Sequence, residues 1–254
     1  MRVLNERLPL VVMPAWNEAE VIGGTVRDVL ENGPACTLLV VDDGSTDSTA
    51  RLAREAGAIV LQMPYNMGVG AAMRAGFTFA QRWGFTRAVQ VDADGQHNPA
   101  DIAKLLERLN QGGADIVIGA RFSTVGDYQV RGPRRWAMRM LAASLSRVAR
   151  TKLTDVTSGF RAANRRAIDQ YVRQYPAEYL GDTIDSLVAA VRSGCSVAQV
   201  PVGMRPRQGG RPSHSPLAAA WSLGRSMIAL LFALIRGRDH RPPADIVQRA
   251  SVFK

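Results

Sequence analysis

The sequence predicts an α/β protein built on a mostly parallel sheet with helices on its faces. Three observations carry this reading. Short apolar runs alternate with helical patterns of about 10–15 residues through the first half of the chain. The 254 residues are 46% apolar and only 21% charged, enough for a sizeable core. No internal repeat and no long low-complexity linker divides the chain, so one domain is expected. The same composition excludes disordered, collagen-like and disulfide-stapled classes. Cys36 and Cys195 are the only cysteines, so neither a disulfide framework nor a structural zinc site is expected, and a reducing cytoplasm is the default.

The elements follow in order. Leu8–Met13 reads as a buried strand. Glu18–Glu31 reads as a helix, with Val21, Ile22, Val26, Val29 and Leu30 on one face. Thr37–Asp42 is a second strand, Ser45–Ala56 a helix and Ala58–Leu61 a short strand. Gly68–Trp83 is a helix rich in small residues. Ala88–Asp92 is a strand, and Pro99–Asn110 is a helix with proline at its start, where a missing N–H costs nothing. Asp115–Gly119 is a further strand. In the second half, Arg134–Arg150, Asn164–Val172 and Asp182–Arg192 are expected helices and Val197–Val202 a strand. Arg205–Ser215 reads as a loop, Pro216–Arg236 as an apolar helix, and 237–254 as a polar tail.

Charge is divided unevenly. Residues 1–120 hold 10 Lys+Arg against 14 Asp+Glu, a net of −4, so the remainder carries +14 of the overall +10. Nucleic acid, an anionic membrane or a phosphate-bearing substrate each suits such a basic half. Arginine outnumbers lysine 29 to 3, and arginine suits bidentate phosphate contacts.

In open parallel sheets, ligands sit beyond the carboxyl ends of the strands. Here those ends carry Pro14-Ala15-Trp16-Asn17-Glu18, Asp42-Asp43-Gly44-Ser45-Thr46-Asp47, Asp92-Ala93-Asp94-Gly95-Gln96-His97 and Gly119-Ala120-Arg121. Carboxylates gathered at one edge repel one another unless a cation compensates. Asp92 and Asp94 can offer oxygens to Mg²⁺ or Mn²⁺, which take phosphate oxygens and water as further ligands. Taken singly, each segment is also ordinary turn and N-cap chemistry. Gly68-Val69-Gly70 imitates half of a dinucleotide fingerprint, but it lacks the third glycine and follows the third strand. His97 and His214 have no metal-ligand spacing.

These segments, with Val41 before the Asp42-Asp43 pair and Asn66-Met67-Gly68, resemble the motif series of family 2 glycosyltransferases over residues 8–121. Ser158-Gly159-Phe160-Arg161 and Arg207-Gln208-Gly209-Gly210 extend the resemblance to about residue 215, toward the dolichyl- and polyprenyl-phosphate sugar synthase branch. The resemblance implies a GT-A fold over 1–215 and metal-dependent, inverting transfer from a nucleotide-diphosphate sugar. It implies that Pro14, Trp16 and Glu18 line the base and ribose pocket, with tryptophan where the family usually has tyrosine. Val41, Asp43 and Ala93 fall on the same nucleotide-binding motifs, with Asp43 reaching base or ribose. Asp94 ligates the metal and Asp92 holds ribose or a metal-bound water. Gln96 and Arg121 face sugar or diphosphate, Arg161 binds phosphate or acceptor, and Arg207 clamps phosphate, with Arg211 or His214 as a second cation.

A hydroxyl acceptor needs a general base, for which Asp182 is the candidate and Asp155 a second. A lipid phosphate, with a second pKa of about 6, is already anionic and needs none. The acceptor therefore divides the readings: polyprenyl phosphate, or a soluble or glycan hydroxyl. A nucleotidyltransferase lacks its Gly-rich basic loop here, and a nucleic-acid-binding module lacks any signature. No nucleic-acid partner is expected.

Pro216–Arg236 has only ten uncharged residues in a row, Ser226–Ile235, against the ~20 needed to span a bilayer. Basic flanks and helical spacing give an interfacial or partner-docking helix; a core helix and a span remain open. Arg131–Arg150 adds a second basic, amphipathic segment. No signal peptide is visible, because the first apolar run is too short. These features predict a peripheral protein on the cytoplasmic face of the plasma membrane, with a small membrane protein as a possible partner class.

Overall fold

The computed structural model describes residues 5–121, 142–143, 145–147, 149, 151–174 and 182–206. Seven strands form one sheet: β1 (Leu10–Ala15), β2 (Thr37–Asp42), β3 (Ile59–Gln62), β4 (Arg87–Gln90), β5 (Ile116–Ala120), β6 (Arg161–Asn164) and β7 (Val197–Pro201). Their order is β3-β2-β1-β4-β6-β5-β7. β6 alone runs antiparallel, paired with β4 and β5. The helices are α1 (Ile22–Asn32), α2 (Thr49–Glu55), α3 (Val69–Arg82), α4 (Asp101–Asn110), α5 (Arg165–Gln174) and α6 (Asp182–Arg192).

Alternation along β1 builds the two faces. Leu10 and Val12 join one cluster with Met73, Phe77 and Ile168, while Val11 and Met13 join another with Ile22, Val26 and Leu105. All are buried, and each such side chain contributes about 1.5–3 kcal/mol. Small residues bring α3 close to the sheet. A Cβ on Gly76 would stand 2.3 Å from Val12 Cγ1. Gly76→Ala is therefore expected to destabilise: overpacking costs about 1–3 kcal/mol, against a helix-propensity gain of about 1 kcal/mol. A lower denaturation midpoint with unchanged slope checks this.

Two expectations need correction. The segment before residue 165 forms β6, which the sequence reading lacked. Arg-Ala-Ala-Asn has no apolar run, and its strand state comes from being held between β4 and β5. The first two helices also begin about four residues later than expected. Residues 17–19 and 45–47 instead join the loops: the Asn17, Glu18 and Ala19 amides donate to Ser45 Oγ, Thr49 Oγ1 and Asp47 Oδ2 at 2.8–3.1 Å. The expected helix Pro216–Arg236, the tail 237–254 and most of Arg134–Arg150 lie outside the described residues.

Candidate active site

Strand order reverses between β1 and β4, the place where open sheets hold ligands. The loops after β1 and β2 are tied together there. Asn17, at φ 53°, accepts the Thr46 amide on Oδ1 at 2.9 Å. Asp43 accepts the Met67 and Gly68 amides at 2.8 and 2.7 Å, anchoring the loop before α3. Burial pushes its pKa up, those two amides pull it down, and the Asp42 charge raises it; the net shift is upward. Gly44 is required by geometry: φ is 69°, and a Cβ would stand 2.4 Å from the Tyr65 carbonyl carbon. Trp16 (49% exposed) and Tyr65 (64%) are left on this rim.

The loop after β4 alternates in burial. Ala93, Gly95 and His97 are buried; Asp92, Asp94 and Gln96 are partly open. Both carboxylates and the Gln96 amide are thus the partly open groups of this turn, which Gly95 makes at φ 73°. His97 Nδ1 accepts the Asp92 amide at 3.2 Å, so neutral His97 carries its proton on Nε2. Its ring stacks on Phe160, centroids 4.7 Å apart. The Ala93 carbonyl accepts the Thr25 hydroxyl of α1 at 2.9 Å. Asp94 Oδ1 accepts the Gln96 amide at 3.1 Å. Gly159 leaves room for Asp92: a Cβ there would stand 3.0 Å from Asp92 Oδ1. Among the described residues no group of three His, Cys, Asp or Glu could hold a metal alone. Two carboxylates suit Mg²⁺ or Mn²⁺ completed by diphosphate and water, so this donor set fits the ion expected.

Arg121, after β5, donates from Nε to Asp155 Oδ2 at 2.7 Å and from Nη2 to Asp155 Oδ1 and Thr157 Oγ1. Burial, the largest influence, would raise the Asp155 pKa. The hydrogen bonds and charge of Arg121, with Thr157, outweigh it and hold the carboxyl below its usual 3.8. A depressed native pKa contributes stability above the unfolded value, which is lost as pH falls through the native one. Stability is thus expected to fall below about pH 4, with a shallower fall in Asp155→Asn, by denaturation across pH.

Other expected residues divide clearly. Pro14 and Glu18 are half-buried beside Trp16. Val41 (0% exposed) and Ala93 (5%) turn their side chains into the core, so only their backbone borders the site. Arg161 is a correction. It is buried, and its guanidinium donates to the Ser158, Thr183 and Val156 carbonyls at 2.6–2.8 Å. It braces β6 against α6 and does not face a ligand. Asp182 opens α6, but its side chain, like Arg207, Arg211 and His214, lies outside the described residues. Sequence reasoning missed the anchoring role of His97.

Comparison with known proteins agrees with this geometry. Residues 10–172 match the family model described as glycosyl transferase family 2. The chain is 33% identical over 214 residues to polyprenol monophosphomannose synthase of Mycolicibacterium smegmatis, covering 78% of each protein. It is 32% identical over 216 residues to undecaprenyl-phosphate mannosyltransferase of Micrococcus luteus, covering 81% of this chain and 87% of that one. Glucosyl-3-phosphoglycerate synthase of Mycobacterium tuberculosis, solved with Mn²⁺, UDP and glucosyl-3-phosphoglycerate, superposes with TM-score 0.63 at 25% identity over 89% of this chain and 79% of that one. The sheet and its helices are the GT-A arrangement. The protein is a glycosyltransferase and belongs to family 2.

Proposed function

We propose that this glycosyltransferase moves a sugar from a UDP- or GDP-sugar to polyprenyl phosphate, with Mg²⁺ or Mn²⁺ and with inversion. The observation that carries the donor half is the turn after β4, at the switch point between β1 and β4, where Asp92, Asp94 and Gln96 are partly open. The acceptor half is supported by the two relatives whose names specify a polyprenol or undecaprenyl phosphate.

Trp16 stacks on the base, with Pro14, Glu18 and Asp43 around base and ribose. Asp94 would hold the metal directly, and Asp92 would hold ribose or a water on the metal. Gln96 and Arg121 face sugar and diphosphate, and Arg207 clamps phosphate. A bound metal supplies positive charge to the leaving diphosphate. An acceptor phosphate oxygen bonds to the anomeric carbon from the opposite side as the bond from that carbon to the diphosphate breaks. The acceptor is already anionic, so no residue must first remove a proton. The basic second half favours both phosphates and the cytoplasmic membrane face, with Pro216–Arg236 lying on lipid or on a small membrane protein.

A second reading keeps the donor site and uses a soluble hydroxyl acceptor, with Asp182 as base. It is favoured by the phosphoglycerate product in the similar solved structure. The donor site is tested by melting the protein with nucleotides, with and without Mn²⁺. UDP or GDP at 100 times Kd should add about 2.7 kcal/mol of stability, only with metal. No metal-dependent shift with any nucleoside diphosphate would sink the proposal.

A further inference from the structure

We infer that Arg205 is a positioning residue that holds the carboxylate loop of residues 92–97 in register for metal-dependent diphosphate binding. This rests on the donor site proposed above. The segment after β7 is fastened to that loop at successive residues. Gly203 N donates to Asp101 Oδ2 at 3.1 Å, at the start of α4. Met204 forms an antiparallel bridge with His97. Arg205 N donates to the Gln96 carbonyl at 2.9 Å.

The Arg205 side chain locks this arrangement. Nη1 donates to Asp28 Oδ2 of α1 at 2.6 Å, and Nη2 to Asn98 Oδ1 at 2.8 Å. One planar fork thus joins α1 to the 96–98 turn through two separate nitrogens, a fixed spacing that the single flexible ammonium of lysine does not reproduce. The link to chemistry runs through Gln96, whose amide and carbonyl belong to successive peptides hinged at its Cα. The Gln96 carbonyl accepts from Arg205, while the Gln96 amide donates to Asp94 Oδ1 at 3.1 Å. Displacing Gln96 shifts the amide that Asp94 Oδ1 accepts from. As a partly exposed surface ion pair, Arg205–Asp28 adds little to stability. Water reaches both side chains, 38% exposed for Arg205 and 20% for Asp28, and screens the pair. Its consequence therefore lies in orientation rather than stability. Partners that orient metal ligands contribute about 10–100-fold in affinity.

The test uses calorimetric titration of the full chain with UDP and GDP plus Mn²⁺, and with UMP and GMP without metal. Arg205→Ala should weaken Mn²⁺-dependent diphosphate binding about 10-fold. Monophosphate affinity should stay within about 2-fold, because the base-side loops after β1 and β2 do not touch Arg205. Arg205→Lys should fall between. Asp28→Ala combined with Arg205→Ala should lose little more than Arg205→Ala alone, with melting temperatures near wild type throughout. Unchanged diphosphate affinity in Arg205→Ala, or equal weakening of both nucleotide classes, would overturn the assignment. If the wild type binds neither diphosphate with Mn²⁺, the donor reading fails first and takes this inference with it.

Discussion

Asp94→Ala is expected to lower sugar transfer by about 100- to 1,000-fold while leaving the fold intact. The size follows from what the carboxylate faces. Breaking the bond to the diphosphate adds a further negative charge to it, and a group aimed at developing charge contributes about 2.7–4 kcal/mol. The fold is spared because Asp94 is partly open and the loop has other anchors: His97 on the Asp92 amide, Thr25 on the Ala93 carbonyl, and the Met204 bridge. Initial rates at saturating donor and metal, beside a melting curve, separate the two. Full activity in Asp94→Ala would remove Asp94 from the metal site. Asp92→Asn is expected to be milder, because its proposed contact runs through ribose or water.

Arg161→Ala is expected to have the largest effect on stability, about 3–5 kcal/mol. Three carbonyls, of Ser158, Thr183 and Val156, lose a charged donor at once. Each buried acceptor left unsatisfied costs about 1–3 kcal/mol, and water entering the space relieves part of it. Truncating a buried charged group that its surroundings were built to hold costs about 3–5 kcal/mol by the same logic. The urea midpoint reports the loss. A variant as stable as wild type would show that the brace between β6 and α6 is dispensable. The change should also reach the site, because Gly159, two residues before Arg161, walls the Asp92 carboxylate.

The apolar strands were legible because burial on both faces writes a continuous run, as in Leu38–Val41. The carboxylate loop was legible because its order, Asp-Ala-Asp-Gly-Gln, survives in sequence. β6 was not, because a strand of Arg-Ala-Ala-Asn is created by its neighbours. Arg161 misled for a related reason: a charge within a motif reads as ligand-facing, and only the fold reveals a cage of carbonyls around it. Arg205 sat at the start of a Gly/Pro/Arg-rich stretch that reads as loop, and its partners Asp28 and Asn98 are 177 and 107 positions away.

The most direct measurement follows the sugar itself. Wild-type protein, a radiolabelled UDP- or GDP-sugar, polyprenyl phosphate in vesicles and Mn²⁺ are incubated, then partitioned between organic and aqueous phases. The expected result is label in the lipid phase, lost with EDTA and in Asp94→Ala. Label that stays in a water-soluble product, or transfer to lipid undiminished by EDTA, would contradict metal-dependent transfer to a lipid phosphate.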